Sequence, residues 1–395
     1  MKGDGRFKLY GSWGIFYDIV KLELPRGSFG GDHWLEYYYT LDTPVWNTLA
    51  QSQACPPACE GRLIRGPIDF RHPSFDSLEP DLKPYKLQEA SLGIEHELTP
   101  KMSLALRYVH KQVDTAIEDV GSLDAQGNEI YVIGNPGFGQ ANIAHRFADG
   151  TSVPFPKAKR DYDAVEASYY KRMADNWSLR VSYLWSRLHG NYTGLGQGDE
   201  NGRVSPNVGR NFDYPLMAFD ERGEAVYGLL PTDRTHQWKT QFIYDFPFEL
   251  SAGINAYVAS GTPITREAAF IPPNNFPVQY LGRASDGRTP SYSQLDLYLQ
   301  QNFKLGKNKT LQLSVNVLNL FSQETAIARF QTETEASDNG ASAIAGISVS
   351  EDAFYRGVNT AALIAAQAVP RDPRFLMDSE FQEPREIRLG LRFIF

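Results

Sequence analysis

Apolar and polar residues alternate with a period of two in segments of about ten residues, the signature of strands with one apolar and one polar face. Trp177, Leu179, Val181, Tyr183 and Trp185 share one face, while Ser178, Arg180, Ser182 and Ser186 share the other with Leu184. Trp238, Phe242, Tyr244 and Phe246 alternate with Gln237, Lys239, Gln241 and Asp245, and Thr240 interrupts the apolar face. Leu295, Leu297 and Leu299 alternate with Gln294, Asp296, Tyr298 and Gln300; Leu311, Leu313, Val315 and Val317 alternate with Gln312, Ser314 and Asn316. The pattern predicts eleven strands, near 6–17, 33–41, 85–98, 102–114, 162–172, 177–192, 236–246, 250–259, 291–305, 311–321 and 386–395.

Tight turns and long connections alternate between these strands. The tight ones are Thr99-Pro100-Lys101, Met173–Asn176, Pro247–Glu249 and Gly306–Thr310; the long ones are 42–84, 115–161, 193–235, 260–290 and 322–385. Compact soluble domains rarely carry so many connections above about 15 residues. Short turns on one side and long loops on the other are what an outer-membrane β-barrel requires. With the last strand ending at the periplasm, every tight turn falls there and every long loop falls outside. On this count the link 18–32 is also periplasmic, with room for a short helix from Asp18.

Composition supports a membrane strand rather than a membrane helix. The chain has 395 residues, 42% of them apolar, and no run approaches the roughly 18 apolar residues of a spanning helix. A barrel strand needs only about 9–11 residues with one apolar face. Aromatics make up 13%, and Tyr37–Tyr39, Trp46, Tyr169-Tyr170, Trp177, Trp185, Trp238, Phe246, Phe248 and Phe393 gather at strand ends, where a barrel places its interfacial girdles. Aromatics alone fit the core of a soluble β-sandwich or propeller equally well. The alternation of loop lengths favours the barrel, and no repeat of 40–50 residues supports a propeller. The 33 glycines and 24 prolines fall largely in turns and loops. Ser350 is placed to cap a helix that begins at Glu351-Asp352 and follows the Ala-rich run towards Ala368, with Gly357 working against it.

A net charge of −8 argues against nucleic acid as a partner. Cys55 and Cys59 in Cys-Pro-Pro-Ala-Cys are disulfide candidates that would staple a small loop; two thiols make a poor zinc site, and their spacing is not that of the redox motif. Gly134-Asn-Pro-Gly-Phe-Gly139 spaces glycines like a phosphate loop but has no following helix, so it reads as a turn. The seven histidines (33, 72, 96, 110, 145, 189 and 236) show no metal-ligand spacing, and His96 between Glu95 and Glu97 reads as an interfacial or lumenal group. Asp199-Glu200 reads as a solvated loop rather than a calcium site. No nucleophile–base pair stands out, so neither an enzyme, a cofactor nor a metal is expected. Arg180, Lys239, Gln241, Asp245, Asn255, Gln294, Asp296, Gln300 and Asn316 would face a barrel lumen, where hydration of the wall or pairing with a plug is the plainer role.

Ile387, Leu389, Leu391 and Phe393 alternate to a terminal Phe395, which looks like the assembly signal that closes outer-membrane barrels. With Pro384-Arg385, Arg388 and Gly390 before it, the end resembles that of TonB-dependent receptors, especially the Oar-like subgroup. Ser12–Asp18, Leu24–Gly31 and Val315-Asn-Val-Leu-Asn-Leu-Phe321 agree, the last resembling the penultimate strand of these receptors. The resemblance implies an all-β transmembrane antiparallel barrel of about 22 strands with long extracellular loops and a plugged lumen. This chain would be its C-terminal half. Plug, signal peptide and first barrel half would lie outside residues 1–395, because an open sheet edge in lipid leaves backbone groups unpaired at several kcal/mol each.

The implied function is TonB-energised uptake of a scarce or bulky solute across the outer membrane of a Gram-negative bacterium. The implied partners are outer-membrane lipid, the remaining barrel and plug, TonB through that plug, the barrel assembly machinery and an unidentified solute. A passive porin or a surface adhesin on the same barrel is the alternative. A soluble β-rich enzyme would show clustered catalytic groups and no terminal aromatic signal.

Overall fold

The computed structural model describes residues 3, 5–17, 35–39, 63–69, 78–123, 129–194, 212, 214–271, 276–306, 308–334 and 346–395. Ten long strands form one antiparallel meander in which each pairs with its neighbours in sequence. They are β1 (Phe7–Tyr17), β2 (Lys86–Thr99), β3 (Met102–Thr115), β4 (Arg160–Ala174), β5 (Trp177–Gly190), β6 (His236–Asp245), β7 (Leu250–Ala259), β8 (Tyr292–Lys304), β9 (Thr310–Leu318) and β10 (Glu386–Ile394). A short strand, Gly228–Leu229, pairs with the end of β5 and completes an eleven-stranded sheet.

The register turns alternation in sequence into two continuous surfaces. One apolar row runs Leu9–Ile94–Leu106–Ala167–Tyr183–Trp238–Val258 from β1 to β7. Another runs Leu179–Phe242–Ile254–Leu297–Val317–Ile387 from β5 to β10. Much of this face is solvent-exposed in the isolated chain, with Leu389 at 79% and Leu391 at 73%, so its favourable surroundings are acyl chains. Tyr183, Trp185 and Trp238 mark the upper edge of the belt; Trp177, Tyr244 and Phe393 mark the lower. Above the upper edge the same face turns polar, where Asp163 accepts from Tyr108 at 2.7 Å and meets His110 at 2.8 Å.

The turn chemistry explains the tight side. Asp175 and Asn176 both take positive φ, 55° and 67°, as a two-residue hairpin turn compatible with strand twist requires. Lys101 pairs with Asp175 at 2.9 Å across neighbouring periplasmic turns and holds that carboxyl below its usual range.

Three expectations need correction. Residues 33–41 contribute no strand to the sheet: Leu35–Tyr39 forms a separate hairpin with Leu63–Asp69, and β1 pairs directly with β2. The eleventh strand is Gly228–Leu229 instead. Because β1 and β2 are antiparallel neighbours, the link that starts at residue 18 leaves from the extracellular end, not the periplasmic one. The helix expected after Ser350 is broken. Ser350 does cap Glu351–Arg356, but Gly357 takes φ 97° and Thr360–Ala366 restarts under its own cap, Asn359. Cys55, Cys59, Trp46 and Asp199-Glu200 lie outside the described residues.

Packing is concentrated away from the sheet. The buried apolar cluster takes Val120, Phe155, Tyr192, Phe212, Phe270 and Phe354 from four extracellular connections. The connection between β3 and β4 carries two hairpins of its own, 118–123 with 129–134 and 143–146 with 152–154. Ala268–Ile271 lies between Phe276–Val278 and, in parallel, Ile347–Ser348, tying two connections together. The loops form a folded extracellular cap.

The lipid-facing row makes a direct prediction. Replacing Leu389 with Arg puts a guanidinium on the acyl-chain face of β10, at a cost of about 2–4 kcal/mol near the bilayer midplane. In urea titrations of the full-length protein in lipid, L389R should unfold at lower denaturant than wild type, while R392Q on the opposite face should not. Equal midpoints for L389R and wild type would remove β10 from the lipid boundary.

Candidate solute-binding site

The polar surface of the sheet is the wall a solute would meet. One row runs Ser103–Tyr170–Arg180–Gln241–Asn255–Asp296 and crosses six strands. The row above it carries Ser182–Lys239–Tyr257–Gln294. Lys239, Asn255, Tyr257, Gln294 and Asp296 therefore line one groove. Asp296 is its hub. It accepts from Gln294 at 2.8 Å, from the Asn319 backbone at 2.9 Å and from Asn255 at 3.3 Å. Tyr292 donates its hydroxyl hydrogen bond to the Gln294 side-chain carbonyl, and Tyr257 donates to Gln237 at 3.0 Å. The Lys239 ammonium sits over the Tyr257 ring at 5.5 Å, and the Arg180 guanidinium over Tyr170 at 5.7 Å.

All nine polar residues singled out in the sequence fall on this face. Arg180, Lys239, Gln241, Asn255, Gln294 and Asp296 are brought together. Asp245 and Gln300 lie lower, joined through Ser251, which donates to Asp245 at 2.6 Å. Asn316 stands apart between Tyr298 and Arg388. The sequence reading missed Tyr257 and Tyr292, and two ion pairs, Arg107–Glu166 and Lys111–Glu89, both at 2.8 Å. Arg107 and Lys111, both on the polar parity of 102–114, were the available signal. Glu95 pairs with Lys8 at 3.3 Å on the lumenal face, and His96 turns outward to the Arg6 carbonyl at 3.2 Å. Ile387, Leu389, Leu391 and Phe393 take the lipid-facing parity of β10, followed by an exposed Phe395.

The cap above the wall is held by ion pairs as well as apolar contacts. Glu333, 2% exposed, accepts from the Tyr280 hydroxyl and pairs with Arg371 at 2.8 Å. Burial and the Glu333 carboxylate push the Tyr280 phenol up. Arg374 donates to Asp372 at 2.8 Å and holds that carboxyl below the usual range. His145 reaches Asp352 at 2.6 Å and Glu351 at 3.2 Å while stacking on Tyr355 at 4.8 Å, which clasps two connections far apart in sequence. Among the described residues, no group of three or more His, Cys, Asp or Glu is placed to hold a metal ion.

A polar wall, an apolar outer belt with aromatic borders and long loops on one side define an outer-membrane β-barrel. The chain belongs to that family: the model for the outer membrane beta barrel domain matches residues 2–262. It is located in the outer membrane of a Gram-negative bacterium. Among characterised proteins it is similar to the TonB-dependent transporter Oar of Myxococcus xanthus, 28% identical over 426 residues, covering 99% of this chain and 37% of that protein. The resemblance read from the C-terminal strands thus extends over the whole chain. Among solved structures, the ferric-catecholate import receptor Fiu of E. coli K12 aligns over 98% of this chain and 33% of its own, at 13% identity and TM-score 0.41. The ferripyoverdine receptor of Pseudomonas aeruginosa aligns over 80% of this chain and 28% of its own, at 14% identity and TM-score 0.39. The chain spans about a third of the length of the relatives it matches. The similar proteins are named for transport and reception, not for catalysis.

Proposed function

We propose that residues 1–395 form the C-terminal part of a receptor barrel that takes up a scarce or bulky solute with energy delivered by TonB. The observation that carries this reading is the folded cap at the extracellular end of a continuous polar wall. A cap with its own buried core presents a fixed surface for capture, and the wall below offers exchangeable hydrogen bonds for passage. No bond in the solute need change. The two outer edges, β1 and β10, pair with no other strand among the described residues. In lipid such edges are costly, so closure by further strands, which we place before residue 1 together with a plug and an export signal, completes the barrel. The alternating face of Ile387, Leu389, Leu391, Phe393 and Phe395 serves as the recognition strand for barrel assembly. Cys55 and Cys59 are proposed to form a disulfide that staples a small loop.

The test uses the full-length protein. The isolated periplasmic domain of TonB should bind it in detergent, and planar bilayers containing it should stay closed. Absence of TonB binding together with steady ion conductance would establish a passive porin instead. Absence of both would leave surface attachment through the loops.

A further inference from the structure

The turn Gly137-Phe138-Gly139, which lacks the following helix of a phosphate loop, gathers two cations around one ring. The Lys83 ammonium stands 4.4 Å from the centre of the Phe138 ring, and the Lys157 ammonium stands 4.5 Å from the same centre. The two nitrogens are therefore no further apart than the sum of those distances. Among the described residues, neither forms an ion pair with a carboxylate, whereas Lys86 and Lys111 pair with Asp114 and Glu89. The nearest acidic group packed on the turn is Glu79. Its carboxylate is turned inward, 6% exposed, and accepts from the Gln140 backbone at 2.6 Å.

The arrangement is built rather than incidental. Gly137 takes φ 78°, and a Cβ there would meet the Lys157 side chain at 2.8 Å and the Phe155 carbonyl at 3.0 Å. The turn is closed by Gly137 N–H to the Ala141 carbonyl at 2.8 Å and Phe138 N–H to the Asn135 carbonyl at 3.0 Å. Asn135, 2% exposed, fixes the backbone at Lys83 twice, accepting from its N–H at 2.7 Å and donating to its carbonyl at 2.9 Å. The Lys157 carbonyl is held by Asn191 at 3.0 Å. The backbone that carries both lysines is thus fixed, and both residues are exposed.

We propose that Lys83, Lys157 and Phe138 form an anion-binding site on the extracellular cap, for a solute carrying a phosphate or carboxylate group. The ring face attracts each cation but leaves most of its N–H donors unused, and two like charges held near one ring repel each other. A polyatomic anion that bridges them removes that repulsion and accepts the free donors in charge-assisted bonds. The inference concerns binding at the cap and holds whether the barrel is energised by TonB or open.

The test is calorimetric titration of the full-length protein in detergent with inorganic pyrophosphate, which stands in for the anion. Wild type should bind, more weakly as sodium chloride is raised. K83Q and K157Q should each lose about tenfold in affinity, the double variant more, and K83R/K157R should retain binding. K101Q, at a periplasmic turn remote from the cap, should bind as wild type does. Absence of wild-type binding, or equal binding by K83Q/K157Q, overturns the proposal. Because the arginine variants keep the charge, a loss in the glutamine variants alone cannot be laid to misfolding of the cap. Failure of TonB binding with pyrophosphate binding intact would leave this site standing and remove only the transport reading.

Discussion

Replacing Phe354 with Ala should melt the extracellular cap and leave the sheet standing. Phe354 is fully buried, with its ring edge-on to Phe270 at 5.4 Å and to Tyr355 at 5.5 Å. It sits on the helix Glu351–Arg356, which is too short to persist without tertiary packing. Truncating a buried Phe to Ala typically costs about 3–5 kcal/mol through lost transfer energy and the cavity left behind. Here the partners come from separate connections, so the loss falls on the contacts that join them. Hydrogen exchange on the full-length protein should show lost protection in Ala268–Ile271 and Ile347–Ser348. Protection in β6 to β9 should be unchanged, since those strands are held by a ladder that Phe354 does not touch. Loss of protection in both regions together would mean that cap and sheet are one cooperative unit. No loss in either would mean that Phe354 is not a keystone of the cap.

The division between sheet and cap is also the division between what the sequence reveals and what it hides. Each barrel strand faces lipid on one side and a polar lumen on the other, so Trp177 to Trp185 and Leu311 to Val317 announce themselves by a period of two. The lumenal wall follows from the same parity, which places Arg180, Gln241, Asn255 and Asp296 on the polar faces of their strands by sequence position alone. Local alternation does not say what a strand pairs with. Leu35–Tyr39 is a strand, as its pattern indicates, but its partner is Leu63–Asp69 and not the sheet. The helix after Ser350 began where capping chemistry placed it and stopped at Gly357, whose positive φ a continuous helix does not tolerate.

The cap was hidden for a different reason. Phe155, Phe212 and Phe270 lie in segments rich in Pro, Asn and Asp, and Phe354 lies beside Tyr355 on a short helix, with no periodicity shared among the four. Their contact depends on how four connections fold over one another, which no local window contains. Lys83 and Lys157 meet at Phe138 by the same long-range route. Only the glycines of the turn between them left a trace in the sequence.

Removing the Arg288 side chain should uncouple the cap from the sheet. Arg288 donates to the carbonyls of Gly261 at 2.8 Å and Asp233 at 3.1 Å, and pairs with the Asp233 carboxylate. Asp233, 2% exposed, also accepts from the Leu188 backbone at 2.7 Å, near the extracellular end of β5. The guanidinium thus joins the tops of β5 and β7 to the connection that follows β7. The close packing there is visible at Gly261, where a Cβ would lie 1.7 Å from the Thr289 carbonyl oxygen. Arg288→Ala leaves a buried carboxylate without its cation, which costs about 3–5 kcal/mol when one partner of a buried pair is removed. The expected result is rapid proteolysis within 260–291 in the full-length protein under conditions where wild type is intact. Combining R288M with D233N removes the stranded charge, restores apolar volume and should recover much of the resistance. If R288A is as resistant as wild type, the pair does not hold the cap down. If R288M/D233N is as weak as R288A, the lost hydrogen bonds that Arg288 donates to the Gly261 carbonyl and to the Thr235 hydroxyl at 3.0 Å, rather than the uncompensated charge, set the cost.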